Sequence, residues 1–168
     1  SSTPYISSPA GNKFILLQAV PTKLVAYEPF GAIPVYSATK GNPILAANIT
    51  MTNGVISKIN ELKFKLSSTT KYQNIDKLYL VYTKGDSTYR SSYKEQFGQV
   101  PGSTLGTLTF TDTINLVAGN NYFWLVADAT SSASVGDTLD GSFLSAKLTG
   151  RTIDTSTVKT TTSLRKFA

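Results

Sequence analysis

Residues Leu105–Thr130, LGTLTFTDTINLVAGNNYFWLVADAT, decide how the rest of the chain reads. The stretch divides into two β-strands joined by a turn at Gly119-Asn120. In an extended chain successive side chains point to opposite faces, so Tyr122, Trp124 and Val126 share one face and Phe123, Leu125 and Ala127 the other. A strand that is apolar on both faces belongs in the middle of a sheet, covered from both sides. The preceding strand, Leu108–Leu116, sends Leu108 and Phe110 one way and Thr109 and Thr111 the other. That one-sided pattern predicts a sheet with one wet face.

The same signals recur outward from this stretch. Leu62, Phe64 and Leu66 alternate with Lys63 and Lys65, which predicts a strand with the lysines outside. Phe14–Val20, Pro43–Asn53, Ile75–Thr83 and Leu139–Thr149 are further strand candidates, with turns at Asn53-Gly54, Lys84-Gly85-Asp86 and Gly150. Three prolines in Pro21–Val35 confine any strand there to a short or edge position. Ser87–Ser103 has no clear period and is expected to be a long polar-aromatic loop. Eight or nine strands and no convincing helical period indicate an all-β chain, an antiparallel β-sandwich. No fixed repeat is present, which argues against a propeller or solenoid. The expected organisation is a linker or loosely ordered segment over 1–13, the sandwich over 14–150, and a C-terminal strand or linker over 151–168. The opening SSTPYISSPAGNK, rich in Ser, Pro and Gly, is what a piece of a longer protein would show.

The composition agrees. Ser and Thr make up about a quarter of the 168 residues, and nine Tyr and eight Phe face one Met and one Trp. Aromatic and hydroxyl-bearing residues suit strands better than helices. No run of 18 apolar residues occurs, so a membrane-spanning helix is not expected. The net charge of +6 raises the question of nucleic acid, but the lysines are scattered along the chain and only three arginines occur. Lysines on outer strand faces keep β-proteins soluble and their edges unpaired, so no nucleic-acid partner is expected.

Histidine and cysteine are both absent. The chain therefore lacks the imidazole of nucleophile–base pairs, as well as imidazole and thiolate metal ligands. Carboxylate-pair hydrolysis would need two of three Glu and seven Asp, most of which lie in turns or on outward strand positions. No catalytic residue is expected. Asp128, Asp137 and Asp140 lie close in sequence, and loop carboxylates are the hard oxygen ligands that calcium takes. The competing account is that Asp137 and Asp140 cap a turn. Trp124 offers a stacking face for a sugar ring, but its place in the most apolar strand favours the core. Tyr89, Tyr93 and Phe97 in the long loop are better platforms. Arg90 among them is suited to hold an acidic sugar's carboxylate in a two-pronged bond. The bland alternative is a loop that packs its own side chains.

With the strands placed, LYLVYTKGD, Phe97-Gly98, GTLTF, GNNYFWLVAD and GDTLDG follow one another in an order that resembles the N-terminal accessory domain of bacterial BNR (Asp-box) sialidases. The resemblance covers about Pro43–Gly150. It implies a jelly-roll-like sandwich beside a catalytic β-propeller, in an exported or cell-surface bacterial protein. It also implies a non-catalytic role in recognising a glycan or sialoglycan. Asp-box motifs are missing from the chain, so sialidase activity does not carry over to it. The alternative is a structural or adhesive sandwich that spaces neighbouring domains and binds no sugar.

Overall fold

A computed structural model of the chain describes residues 5–7, 13–15, 21–27, 33–52, 57–66, 70–93, 95–154 and 165–168. In chain order the strands are β1 (Tyr5–Ser7), β2 (Lys13–Ile15), β3 (Pro21–Tyr27), β4 (Asn42–Met51), β5 (Ser57–Leu66), β6 (Ile75–Tyr82), β7 (Gln96–Pro101), β8 (Thr107–Leu116), β9 (Gly119–Ala129), β10 (Thr138–Leu139), β11 (Gly141–Leu148), β12 (Arg151–Asp154) and β13 (Arg165–Lys166). A 3-10 turn at Tyr72–Asn74 precedes β6.

Two antiparallel sheets form the sandwich, a five-stranded one in the order β3-β4-β9-β6-β7 and a four-stranded one in the order β12-β11-β5-β8. The chain crosses between the sheets after β4, β5, β7 and β8 and, by way of β10, after β9, the jelly-roll-like alternation. β9 lies in the middle of the larger sheet, and Tyr122–Ala129 are all buried, as its two-sided apolar pattern requires. The proline-bearing β3 is an edge strand.

Between the sheets Phe64 meets Phe110 and Phe143 edge-on, at 6.1 and 5.5 Å between ring centres. Phe123 packs on Tyr82 at 4.7 Å and on Phe97 at 5.6 Å. Burying each large side chain of this kind contributes about 1.5–3 kcal/mol.

Four features differ from the sequence expectation. β8 and β9 are not hairpin partners: β8 pairs with β5, whereas β9 pairs with β4 and β6. Val117-Ala118 carries the chain from one sheet to the other, and the buried Asn121 side chain holds that corner. Its Oδ1 accepts from the Val117 N–H at 2.9 Å and from the Tyr82 hydroxyl at 2.6 Å. Its Nδ2 donates to the Val117, Gly119 and Ile49 carbonyls. Second, the expected long loop ends early, because Gln96–Pro101 forms the edge strand β7. Third, Tyr5–Ser7 pairs with Lys13–Ile15 in a small sheet of its own.

Fourth, residues 165–168 are built into the sandwich. β13 pairs with β10, Val35 and Ala168 are joined through the Val35 carbonyl, and the buried Arg165 donates to the carbonyls of Ile33, Pro34 and Pro43. Burial pushes the Arg165 guanidinium below its ordinary value. The expected Asn53-Gly54 turn and the Leu16–Val20 part of the first strand lie outside the described residues.

Candidate functional site

The outer face of the five-stranded sheet is unusual for a sandwich, because it carries a second apolar cluster. Trp124 sits in register between Ala46 on β4 and Val81 on β6. Small neighbours on both sides leave room for the indole, which is 1% exposed. Its Nε1–H donates to the Thr83 hydroxyl at 2.9 Å, so burial leaves no polar atom of the ring unpaired. Tyr122 stacks beside it at 6.3 Å, and Tyr89 tilts over it at 5.8 Å. Trp124 is therefore core, roofed by the loop between β6 and β7.

That loop is fastened at both ends. Lys84 takes a positive φ of 51° to start the turn. The Asp86 carboxylate then accepts from the Thr88 N–H at 2.9 Å and from the Tyr93 hydroxyl. These bonds, Tyr93's first, hold the Asp86 carboxyl below its ordinary value, and donation to Asp86 pushes the Tyr93 phenol up. A turn bond from the Tyr93 N–H to the Arg90 carbonyl, 3.0 Å, places Arg90 at the tip. Arg90 is exposed, while Tyr89 and Tyr93 are half-buried.

Farther along β9, the buried Asp128 carboxylate accepts from the Gly41 N–H at 2.9 Å and the Tyr79 hydroxyl at 3.3 Å. Lys77 lies 3.7 Å from it and 5.2 Å above the Tyr79 ring. Burial, then the charges of Tyr89 and Asp128, raises the Tyr79 phenol well above its ordinary value. Burial also raises the Tyr89 phenol. Gly41 has a φ of +71°, and a Cβ there would stand 3.4 Å from the Tyr89 hydroxyl, so glycine lets the 41 amide reach Asp128.

Of the four expected platform residues the structure brings three together at the loop surface: Tyr89, Arg90 and Tyr93. Phe97 is a correction. It is fully buried against Phe123 in the core between the sheets, because it lies on β7 with its side chain inward. The three aspartates are also not brought together. Asp128 serves Gly41, Tyr79 and Lys77. Asp137 pairs with Lys71 at 2.6 Å and accepts from Asn74 at 2.8 Å, which hold its carboxyl below its ordinary value. Asp140 accepts from the Gly141 N–H at 2.8 Å. Among the described residues no group of three acidic side chains is placed to hold a metal ion.

Thr83 and Asp86, which fix the aromatic face from below and beside, were not among the sequence candidates, and Asp128 was among them only as a metal ligand. The only signal was the turn Lys84-Gly85-Asp86, in which an aspartate is expected to bond a nearby amide.

The geometry is that of an all-β sandwich with an aromatic surface loop fastened by hydrogen bonds. The chain matches the N-terminal domain of BNR-repeat neuraminidase over residues 23–152, most of its length, and it belongs to that family. Among solved structures its fold is similar to that of the Hadza microbial sialidase Hz136, with a TM-score of 0.64 and 15% identity. The similarity covers 85% of this chain and 31% of that one, so the chain spans about a third of the sialidase's length. At that identity the likeness is one of fold. A comparison with curated proteins finds no match.

Proposed function

We propose that this segment is a glycan-recognising accessory module of an exported bacterial sialidase, and that its parent chain is an exo-α-sialidase. Family membership supports the sialidase context. The observation that carries recognition is the loop tip: Arg90 is exposed beside two tyrosines, Tyr89 packed on Trp124 and Tyr93 bonded to Asp86. An aromatic face packs on the C–H face of a sugar ring, and a guanidinium takes a carboxylate in two parallel bonds. A loop already held by its own hydrogen bonds gives up little entropy on binding. Asp86 lies close to Arg90 and would compete for it, so affinity would be modest.

A second reading has its own support. The tilt of Tyr89 over Trp124 is what a loop that only roofs the sheet would show, and such a module would space its neighbours without binding sugar. Titration of the 168-residue chain with 3′-sialyllactose separates the two. Recognition expects saturable heat and chemical-shift changes that Arg90→Ala and Tyr93→Ala weaken. No heat and no shift at millimolar ligand rejects the sialic-acid reading and leaves the spacer.

A further inference from the structure

The outer face of the four-stranded sheet differs in chemistry from the face with the aromatic loop. Along β5, Lys63 and Lys65 point outward, two residues and about 7 Å apart. Register places Thr109 and Ser145 beside Lys63, and Thr107 and Ser142 beside Lys65. One step along β11, Lys147 lies diagonal to Lys63, and Lys58 lies toward the start of β5. Lysines scattered in the sequence are thus gathered on one flat face, alternating with hydroxyls.

Their charges are largely free. Among the described residues Lys58, Lys65 and Lys147 form no ion pair, and all three are exposed. Lys63 lies 3.2 Å from Glu61, a half-exposed pair of the kind worth little in water. Asp112 stands at the bulge where β8 loses register with β5, and Asp154 is in register with Ser145 on β12. Along β5 and β11 themselves Lys58, Lys63, Lys65 and Lys147 stand against one acid, Glu61, which is in register with Lys147. Thr107, Thr109 and Thr111 are exposed, and among the described residues no loop covers them as 83–93 covers the other face.

We propose that this face binds a linear anionic polysaccharide, with lysine ammonium groups on its carboxylates or sulfates and the Thr and Ser hydroxyls on its ring hydroxyls. Charge complementarity argues for a polyanion. Hydroxyl-rich rows without an aromatic ring among the described residues argue for sugar over single-stranded nucleic acid, whose bases need stacking platforms. The site is independent of Arg90 and the aromatic loop.

The test measures binding of the 168-residue chain to immobilised hyaluronate and chondroitin sulfate at about physiological salt, with dextran as the neutral control and poly-dT as the nucleic-acid arm. Hyaluronate offers carboxylates alone and chondroitin sulfate adds sulfates, so the two distinguish which anion is read. Lys63→Gln/Lys65→Gln/Lys147→Gln should lose tenfold or more in affinity. Lys40→Gln/Lys84→Gln/Lys166→Gln, with the same change in net charge elsewhere on the surface, should lose less than threefold. Glu61→Gln should bind tighter, and Arg90→Ala should bind as the parent does. Equal losses in the two triple variants, or no binding to either polysaccharide at sub-millimolar chain, would overturn the proposal and leave the lysines as a solubility device. Tighter binding to poly-dT than to the sugars would overturn it in favour of nucleic acid.

Discussion

The two outer faces of one sandwich put the same strand geometry to opposite uses. On the five-stranded sheet, β9 turns Tyr122, Trp124 and Val126 outward, and the loop from Thr83 to Glu95 covers them. On the four-stranded sheet, β5 turns Lys63 and Lys65 outward, and among the described residues no loop covers them. The first face contributes to stability and holds a small surface in a set shape. The second contributes little to stability and leaves its charges available. A period-2 strand permits both, because each face answers to its own neighbours.

The contrast is testable, beginning with its strongest effect. Trp124→Ala should cost about 3–5 kcal/mol, read as a fall in the urea midpoint, because it opens a cavity under Tyr89 and leaves the Thr83 hydroxyl without its donor. A cost under about 1 kcal/mol would show that the aromatic face is not a second core. Asp128→Ala should follow at about 1–3 kcal/mol, since the Gly41 N–H and the Tyr79 hydroxyl lose their shared acceptor.

Acid should act on the first face through Asp86. The Asp86 carboxyl is held below its ordinary value of 3.8 by bonds from Tyr93 and Thr88. A depressed value means that the loop's contribution is fully present above 3.8 and is lost as pH falls through the folded value. An NMR titration should therefore show the Tyr93 ring and the Thr88 amide moving together below about pH 4. In Asp86→Asn that joint transition should vanish. If it persists, another group governs the loop. The smallest effects belong to the basic face: Lys65→Gln and Thr109→Ala should each leave stability within about 0.5 kcal/mol of the parent.

Much of the fold was legible because burial leaves a mark on alternation. The two-sided pattern of Asn121–Ala127 marked the centre of a sheet, and Leu62, Phe64 and Leu66 marked a half-buried strand. β7 was hidden because QFGQVP carries Gly and Pro and offers Phe97 and Val100 in place of a clean alternation. An aromatic residue in such a segment reads equally well as loop platform or core, and only the packing of Phe97 on Phe123 separates the two. Tyr89, Arg90 and Tyr93 were named because aromatic and guanidinium groups are conspicuous in a polar stretch. The part Asp128 plays was not legible, since it bonds Gly41, 87 residues away in the chain. The aspartates near Asp137 misled for the mirror reason. Neighbours in sequence, they are drawn to different partners in space.

By itself the sequence determined that the chain is all-β, that β9 is buried on both faces, that its side chains include neither imidazole nor thiol, and that the chain resembles a sialidase accessory domain. These depend on residue type and on a period of two, both local properties. Only the tertiary structure decided that β8 and β9 belong to different sheets, that Trp124 is roofed, that residues 165–168 are inserted beside Val35, and that scattered lysines share a face. Strand pairing is a contact between distant segments. Alternation says which side of a strand is wet, but the neighbour that completes each side is chosen by packing across the whole chain.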